Sequence, residues 1–499
     1  MHEKSLRRLT FISVMLLGFV LVLVAQLVRW QVIAHFRLAD QMGNICSNME
    51  VIAPQRGLIK DRNGYLLAAN SFQYNVIAYP NLIKNPQEVA DRLWPLLGSS
   101  RQQLVEVLGG DGLYAPLKQG LPLEEGEAIS DLGLGGISAE PQAKRVYPGE
   151  TLAAHVLGFV NFGGDGLYGL EGQYDEILKG KPGKQELVPI GLGELMLPQN
   201  GRDLVLTIDR DIQFIVEREL ARGIEECGAE GGTVIVMEPS TGAILAMASY
   251  PTYDPNQPAS ALPELFINPA ISEEYEPGSV FKIITVASGI EAGVISPETI
   301  FYDEGSIEIG GRTITNWDGK ARGQVTLTDV LAHSLNVESV KISQALGAKR
   351  FYEYVRRFGF GQPTGVDLAG EVPGKLRLSS DRGWHEADLG ANSFGQGIAV
   401  TPLQMVTAVA AVANDGLLLK PYVVQKVIGG EELTGPIEVR QAVSEATARK
   451  VTAMLAEAVK EEAPAAQVEG YSVAGKTGTA QIPGHGAYEE GATIASFVG

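Results

Sequence analysis

The chain has 499 residues, 45% of them hydrophobic and 20% charged, a globular composition too long for one ordinary core, so two or three domains are expected. Its 40 Lys and Arg against 59 Asp and Glu leave a net charge of −19, a field that repels phosphate backbones and argues against nucleic acid as a partner. Two cysteines, Cys46 and Cys227, exclude a disulfide framework and a multi-cysteine metal site.

Residues 9–28 carry no charge over 20 positions. At about 1.5 Å per residue such a helix spans about 30 Å of hydrocarbon. Lys4, Arg7 and Arg8 precede it, which places the N-terminus in the cytoplasm, and Trp30 suits an interfacial anchor. A cleaved signal peptide has a shorter apolar region followed by small residues; Val24-Ala25-Gln26 and Arg29-Trp30 stand there instead. The expectation is one retained transmembrane helix in residues 1–30, in the cytoplasmic membrane, with everything after it extracytoplasmic.

Residues 31 to about 52 read as a stalk. Residues 53–200 form a mixed segment rich in Gly and Pro, with a strand-like run at 74–79 and an amphipathic helix at 86–97, where Val89, Leu93 and Leu96 have helical spacing. Residues 179–200 look like a connector. From Asp203 the pattern changes: a strand at 204–208, a helix over 210–223 capped by Asp209, and a hairpin of strands 231–237 and 243–249 around Glu238-Pro239-Ser240-Thr241-Gly242. Helical patterns follow at 279–292, 326–346 and 402–414, and a strand at 471–482. Strands at both ends with helices between predict an α+β domain whose sheet is made from its two termini. The expected organisation is 1–30 cytoplasmic tip and anchor, 31–200 stalk and pedestal, and 201–499 the domain carrying chemistry.

That chemistry is read from three places. In Glu276-Pro277-Gly278-Ser279-Val280-Phe281-Lys282 an apolar helix opens at Ser279, and residues at i and i+3 share a face, so Ser279 and Lys282 can touch. A serine hydroxyl needs a base, and a lysine serves as one when burial or a nearby cation lowers its pKa. The helix N-terminus adds N–H groups that favour an oxyanion. A chain this long carries on the order of one chance S-x-x-K, so this motif alone decides nothing. Second, Ser334 and Asn336 sit at a break between two helical patterns, the first capped by Thr326 and Asp329; taken alone they read as helix-capping groups. Third, in Lys476-Thr477-Gly478-Thr479 strand alternation puts Lys476 and Gly478 on one face and Thr477 and Thr479 on the other, with glycines where another backbone could approach and an extended peptide could pair.

The joint order decides: S-x-x-K, then S-x-N 55 residues on, then K-T-G 142 residues after that. This set is the signature of penicillin-binding proteins and class A β-lactamases, and the chain resembles a class B, monofunctional penicillin-binding protein. Arg56-Gly57-Leu58-Ile59-Lys60-Asp61-Arg62-Asn63-Gly64, Arg145-Val146-Tyr147-Pro148 and Gly169-Leu170-Glu171-Gly172-Gln173-Tyr174-Asp175 look like its pedestal motifs, and Ser393-Phe394-Gly395-Gln396-Gly397 like a landmark of its transpeptidase domain. No N-terminal block is long enough for a glycosyltransferase. The moderate pedestal looks more like the division (septal) branch than the elongation branch.

The resemblance implies an α+β, serine β-lactamase-like transpeptidase domain, an antiparallel sheet with helices on both faces, on an elongated mixed pedestal of the dimerisation type. It implies a peptidoglycan D,D-transpeptidase acting on stem peptides ending in D-Ala-D-Ala. Ser279 would be the nucleophile, Lys282 its base, Ser334 a proton relay and Asn336 a hydrogen-bonding partner of the acyl donor. Backbone N–H groups of Ser279 and Thr479 would form the oxyanion hole. Lys476, Thr477 and Thr479 would hold the terminal carboxylate, with Gly478 among the binding residues and Lys476 helping to keep Lys282 unprotonated. β-Lactams would acylate Ser279, and a polytopic membrane glycan polymerase and other division proteins would be partners. No metal or cofactor is implied, and the six histidines show no pair at ligand spacing. Two departures stand out. Leu335 occupies the middle of S-x-N, and only 21 residues follow Gly478, where the family continues with a strand and a helix, so the domain is expected to be C-terminally incomplete. The rival readings are a β-lactamase or D,D-carboxypeptidase, against which the anchor and pedestal argue, an elongation-type transpeptidase, and a β-lactam-binding sensor or scaffold.

Overall fold

The computed structural model describes residues 2–29, 49–186, 195–430, 435–483 and 488–499. They form two compact bodies, residues 1–55 with 180–201, and residues 56–179 with 202–499. In the first, helix α1 (His2–Val28) covers the uncharged stretch, and its large apolar side chains from Val14 to Val28 are exposed. Among the described residues no helix is long and apolar enough to cross a membrane; the side chains of residues 2–10, 12 and 13 lie outside them. Strands Met49–Ile52, Gly183–Glu186 and Leu195–Met196 make a three-stranded antiparallel sheet. The predicted stalk up to residue 48 and residues 187–194 of the connector also lie outside the described residues.

The second body opens with β1 (Ile59–Lys60) and β2 (Leu66–Ala78), followed by α2 (Pro86–Leu97), α3 (Arg101–Leu108), β3 (Ala115–Leu121), α4 (Leu123–Asp131) and β4 (Ile137–Val146). β2 pairs with β4 from Ala69↔Val146 to Ala78↔Ile137 and also with β1 and β3, all antiparallel. The helix predicted at 86–97 forms with those limits. The Asn85 side chain accepts from the Glu88 N–H at its start, and Gly98, at φ +64°, ends it. Val89, Leu93 and Leu97 are buried, and Leu96 is only partly so, because the 3.6-residue period carries the stripe to 97.

Further on, α5 (Gly169–Gln173) delivers Glu171 into the interior. Its carboxylate accepts from Arg56 Nε at 2.7 Å and Arg145 Nε at 2.7 Å, with the Tyr147 hydroxyl 3.3 Å away. Arg56 also pairs with Asp175 at 2.7 Å. The segments expected as three separate pedestal motifs are thereby one buried charge cluster.

β5 (Leu204–Leu206) pairs parallel with β1. It stops short of the predicted 208 because the Thr207 hydroxyl turns to donate to Ile244 O at 2.6 Å and Asp209 caps α6 (Arg210–Cys227). β6 (Gly232–Glu238) and β7 (Ala243–Tyr250) form the predicted hairpin. Then come α7 (Lys282–Glu291), α8 (Leu327–Ala332), α9 (Asn336–Leu346), α10 (Pro402–Ala413), β8 (Val424–Val427), α11 (Glu445–Glu462), β9 (Lys476–Pro483) and β10 (Tyr488–Val498). β8 pairs with β5, so one sheet runs β8-β5-β1-β2-β3 across residue 200. One core joins Ile59, Leu170, Ile208, Ile244, Leu403 and Val423. α7 is buried on every side, its polar Lys282, Thr285 and Ser288 included, and its apolar residues lie inside a second core with Leu331, Ile342, Met405, Ala408 and Leu455.

The break expected around Ser334 and Asn336 forms at residues 333–335, where Ser334 takes φ +58°. Two local expectations shift. Ser279 does not open an α-helix: Gly278–Phe281 is a 3₁₀ turn, and α7 starts at Lys282. β9 begins at Lys476 rather than 471, and pairs antiparallel with β10 from Lys476↔Val498 onward. Among the described residues β6–β7 and β9–β10 remain separate ladders, so the single sheet expected from the two termini is here two antiparallel pairs.

Candidate active site

The turn Gly278–Phe281 decides the geometry of the predicted nucleophile. In a 3₁₀ turn side chains at i and i+3 eclipse, which puts Lys282 Nζ 3.1 Å from Ser279 Oγ. The turn is held by glycines. Gly278 N donates to Gly395 O at 3.0 Å, and a Cβ on Gly395 would stand 2.2 Å from Gly278 O. Gly278 has φ +59°, and a Cβ there would meet Thr479 O of β9 at 2.9 Å. A Cβ on Gly478 would meet Pro277 O at 3.1 Å and Val280 at 3.0 Å. The strand therefore packs backbone to backbone on the serine turn, and this is why both segments need glycine.

From the other side the α8–α9 break presents its groups to the same amine. Lys282 Nζ lies 3.0 Å from Ser334 Oγ, 2.6 Å from Ser334 O and 2.8 Å from Asn336 Oδ1. Asn336 Nδ2 donates to Thr315 O at 3.0 Å, so its oxygen faces the lysine. Lys282 is fully buried, whereas Ser279, Ser334 and Asn336 are half-buried. Burial, and then the charge of Lys476, hold the Lys282 amine well below its usual range, against an opposing pull from Glu338. A neutral amine fits these neighbours. It donates its two N–H groups to Ser334 O and Asn336 Oδ1, which only accept, and turns its lone pair to a serine hydroxyl.

Lys476 is buried in β9, and its amine donates to Thr477 O at 3.0 Å. Burial lowers it to about 8, with Glu462 pulling upward. Thr477 and Thr479 are exposed while Gly478 is buried, the alternation expected from the strand period. All eight residues singled out in the sequence thus belong to two facing segments around one turn. Among the described residues the one grouping suited to a metal is His333 with Glu461 and Glu462. Glu462 is 2.7 Å from Nδ1 of His333 and Glu461 is 3.7 Å from Nε2, so the carboxylates address different ring nitrogens, as ion pairs do.

Three contributors escaped the sequence reading. Asn316 Oδ1 accepts from Asn336 N at 3.0 Å and Val337 N at 3.3 Å, capping α9, while its Nδ2 is gripped by the buried Asp303 at 2.9 and 3.0 Å. Gly395 was a landmark without a role. Glu338 is fully buried with Oε2 unpartnered, Lys341 is 3.4 Å from Oε1, and burial raises its pKa. No local signal marked it, since in Val337-Glu338-Ser339-Val340-Lys341-Ile342 it reads as an ordinary i,i+3 pair with Lys341.

Comparison with known proteins agrees with this geometry. Residues 232–499 match the family described as Penicillin binding protein transpeptidase domain, and residues 51–206 that described as Penicillin-binding Protein dimerisation domain. The chain is 35% identical to Stage V sporulation protein D of Bacillus subtilis over 465 residues, covering 89% of this chain and 72% of that protein. It is 32% identical to the Probable peptidoglycan D,D-transpeptidase PbpC of Pseudomonas aeruginosa, covering 95% and 84%. Among solved structures, penicillin-binding protein 3 of Mycobacterium tuberculosis in complex with aztreonam superposes with a TM-score of 0.70 at 30% identity, covering 90% and 87%. Penicillin Binding Protein 2X of Streptococcus thermophilus superposes with a TM-score of 0.77 at 25% identity, covering 90% and 74%. The chain belongs to the class B penicillin-binding proteins, with a dimerisation domain followed by a transpeptidase domain of mixed α+β fold.

Proposed function

We propose that this chain cross-links peptidoglycan stem peptides by acyl transfer through Ser279. The observation that carries the proposal is the buried Lys282 amine among Ser279 Oγ, Ser334 Oγ and Asn336 Oδ1 at 2.8–3.1 Å. Ser279 Oγ attacks the penultimate D-Ala carbonyl carbon and its proton passes to Lys282. The tetrahedral oxyanion is held by N–H groups of Ser279 and Thr479. As it collapses, the C–N bond breaks and the proton reaches the departing D-Ala amine through Ser334. An amine of a second stem then attacks the ester, gives up its proton to the same lysine–serine pair, and releases Ser279. Lys476, Thr477 and Thr479 bind the carboxylate of the donor. A β-lactam presents a strained amide with a carboxylate at a similar distance and leaves a slowly hydrolysed ester on Ser279.

Incubation with penicillin is expected to add one penicilloyl mass to the chain at Ser279, and none in Ser279→Ala. An intact-mass spectrum of the folded wild type without adduct would reject the reading. Residues 9–28, uncharged, with exposed apolar side chains from Val14 to Val28 in α1, support a single-pass anchor in the cytoplasmic membrane and, with the moderate pedestal, a place in septal wall synthesis beside a membrane glycan polymerase. A fluorescent fusion is expected to gather at midcell and to lose that pattern when residues 9–28 are replaced by an unrelated span. Uniform side-wall fluorescence would point to elongation instead.

A further inference from the structure

We propose that Glu462, at the C-terminal end of α11, is a positioning residue whose carboxylate latches the Ser334 turn through His333 and supplies the negative charge on the helix packed against the Lys476 strand. The inference rests on the acyl-transfer reading of Ser279. α11 ends in Glu461 and Glu462, two carboxylates at the negative end of a helix, where the macrodipole favours cations. A sequence that breaks a local rule in this way is expected to gain something elsewhere. Both carboxylates face groups of the site. Glu462 Oε1 is 2.7 Å from His333 Nδ1, the residue immediately before Ser334. The carbonyl of His333 accepts from Trp317 Nε1 at 3.3 Å. α11 packs on both α8 and β9, so the same carboxylate reaches the field of Lys476, whose amine has no ion pair among the described residues.

The charged groups that act on Lys476 are Glu462 from α11 and Lys282 from α7, and the side chains of residues 492–499, from β10 onward, carry no charge. Lys476 is cationic below about 8 and neutral above it. Removing the negative charge at 462 lowers that value further. Carboxylate docking is then lost at a lower pH, and the alkaline limb of acylation moves toward acid.

The test measures the second-order rate of Ser279 acylation by a fluorescent penicillin from pH 6 to 9.5 on the full chain. Glu462→Gln is expected to lower the rate several-fold at pH 6.5, as loss of the latch on His333 does, and also to move the alkaline limb down by about half a unit, costing about a further two- to threefold at pH 8. His333→Gln is expected to lower the rate several-fold at every pH, with the limb in place. Glu462→Asp, which keeps the charge, is expected to restore the limb, and it stands in should the glutamine variant fail to fold. An unmoved limb in Glu462→Gln, or an equal shift in His333→Gln, overturns the inference while leaving acylation intact. A wild type that takes no label removes the acylation reading and this inference with it.

Discussion

Replacing Lys282 by methionine is expected to lower the rate of Ser279 acylation by about 1,000- to 10,000-fold. Methionine keeps the length and the buried stem of the side chain while removing the amine that bridges Ser279, Ser334 and Asn336. Among the described residues no other base is in place: His333 turns its Nδ1 to Glu462, and Glu338 makes no hydrogen bond to Ser279. Stopped-flow labelling with a fluorescent β-lactam measures the rate, and a methionine variant within tenfold of wild type would defeat the assignment of Lys282 as base. Stability gives a second readout. Burial depresses the folded-state pKa of Lys282, so between its folded and unfolded pKa the unfolded chain binds more protons than the folded one. Stability then rises with pH until the unfolded amine titrates near ~10.4. Lys282→Met is expected to flatten this rise below pH about 10.

The second large effect lies away from the chemistry. Glu171 is fully buried and neutralises two nearly buried guanidinium groups. Asp175 still pairs with Arg56 when it is lost, but Arg145 keeps only neutral partners, and its Nη2 is already unpartnered. Leaving a buried charge uncompensated costs about 3–5 kcal/mol. Glu171→Ala is therefore expected to unfold the second body at markedly lower denaturant, while removing the exposed Arg101–Asp91 pair leaves the midpoint unchanged. Equal midpoints for the two variants would contradict the buried cluster as a staple between segments 56, 145 and 171.

How much of this was legible in the sequence varies with distance along the chain. The caps Asp209 and Thr326, the helix at 86–97 and the hairpin around Glu238 were readable, because each is fixed by neighbours within a few residues. The Arg56–Glu171–Arg145 cluster was not, since its members lie up to 115 residues apart and each looks like an ordinary surface charge alone. Glu462 was hidden for the same reason, 129 residues from His333. Ser334 illustrates a middle case: its place at a break was visible, but its φ of +58° is imposed by the helices it joins.

The sequence by itself picked out the groups proposed to do the chemistry, because Ser279 and Lys282 sit three residues apart and the order of the three motifs is too specific to arise by chance. The tertiary structure alone decided that the lysine's pKa would fall. The low dielectric of a closed core, the charge of Lys476 brought from 194 residues away, and acceptor oxygens from Ser334 and Asn336 act through space, and no local pattern encodes a desolvation cost.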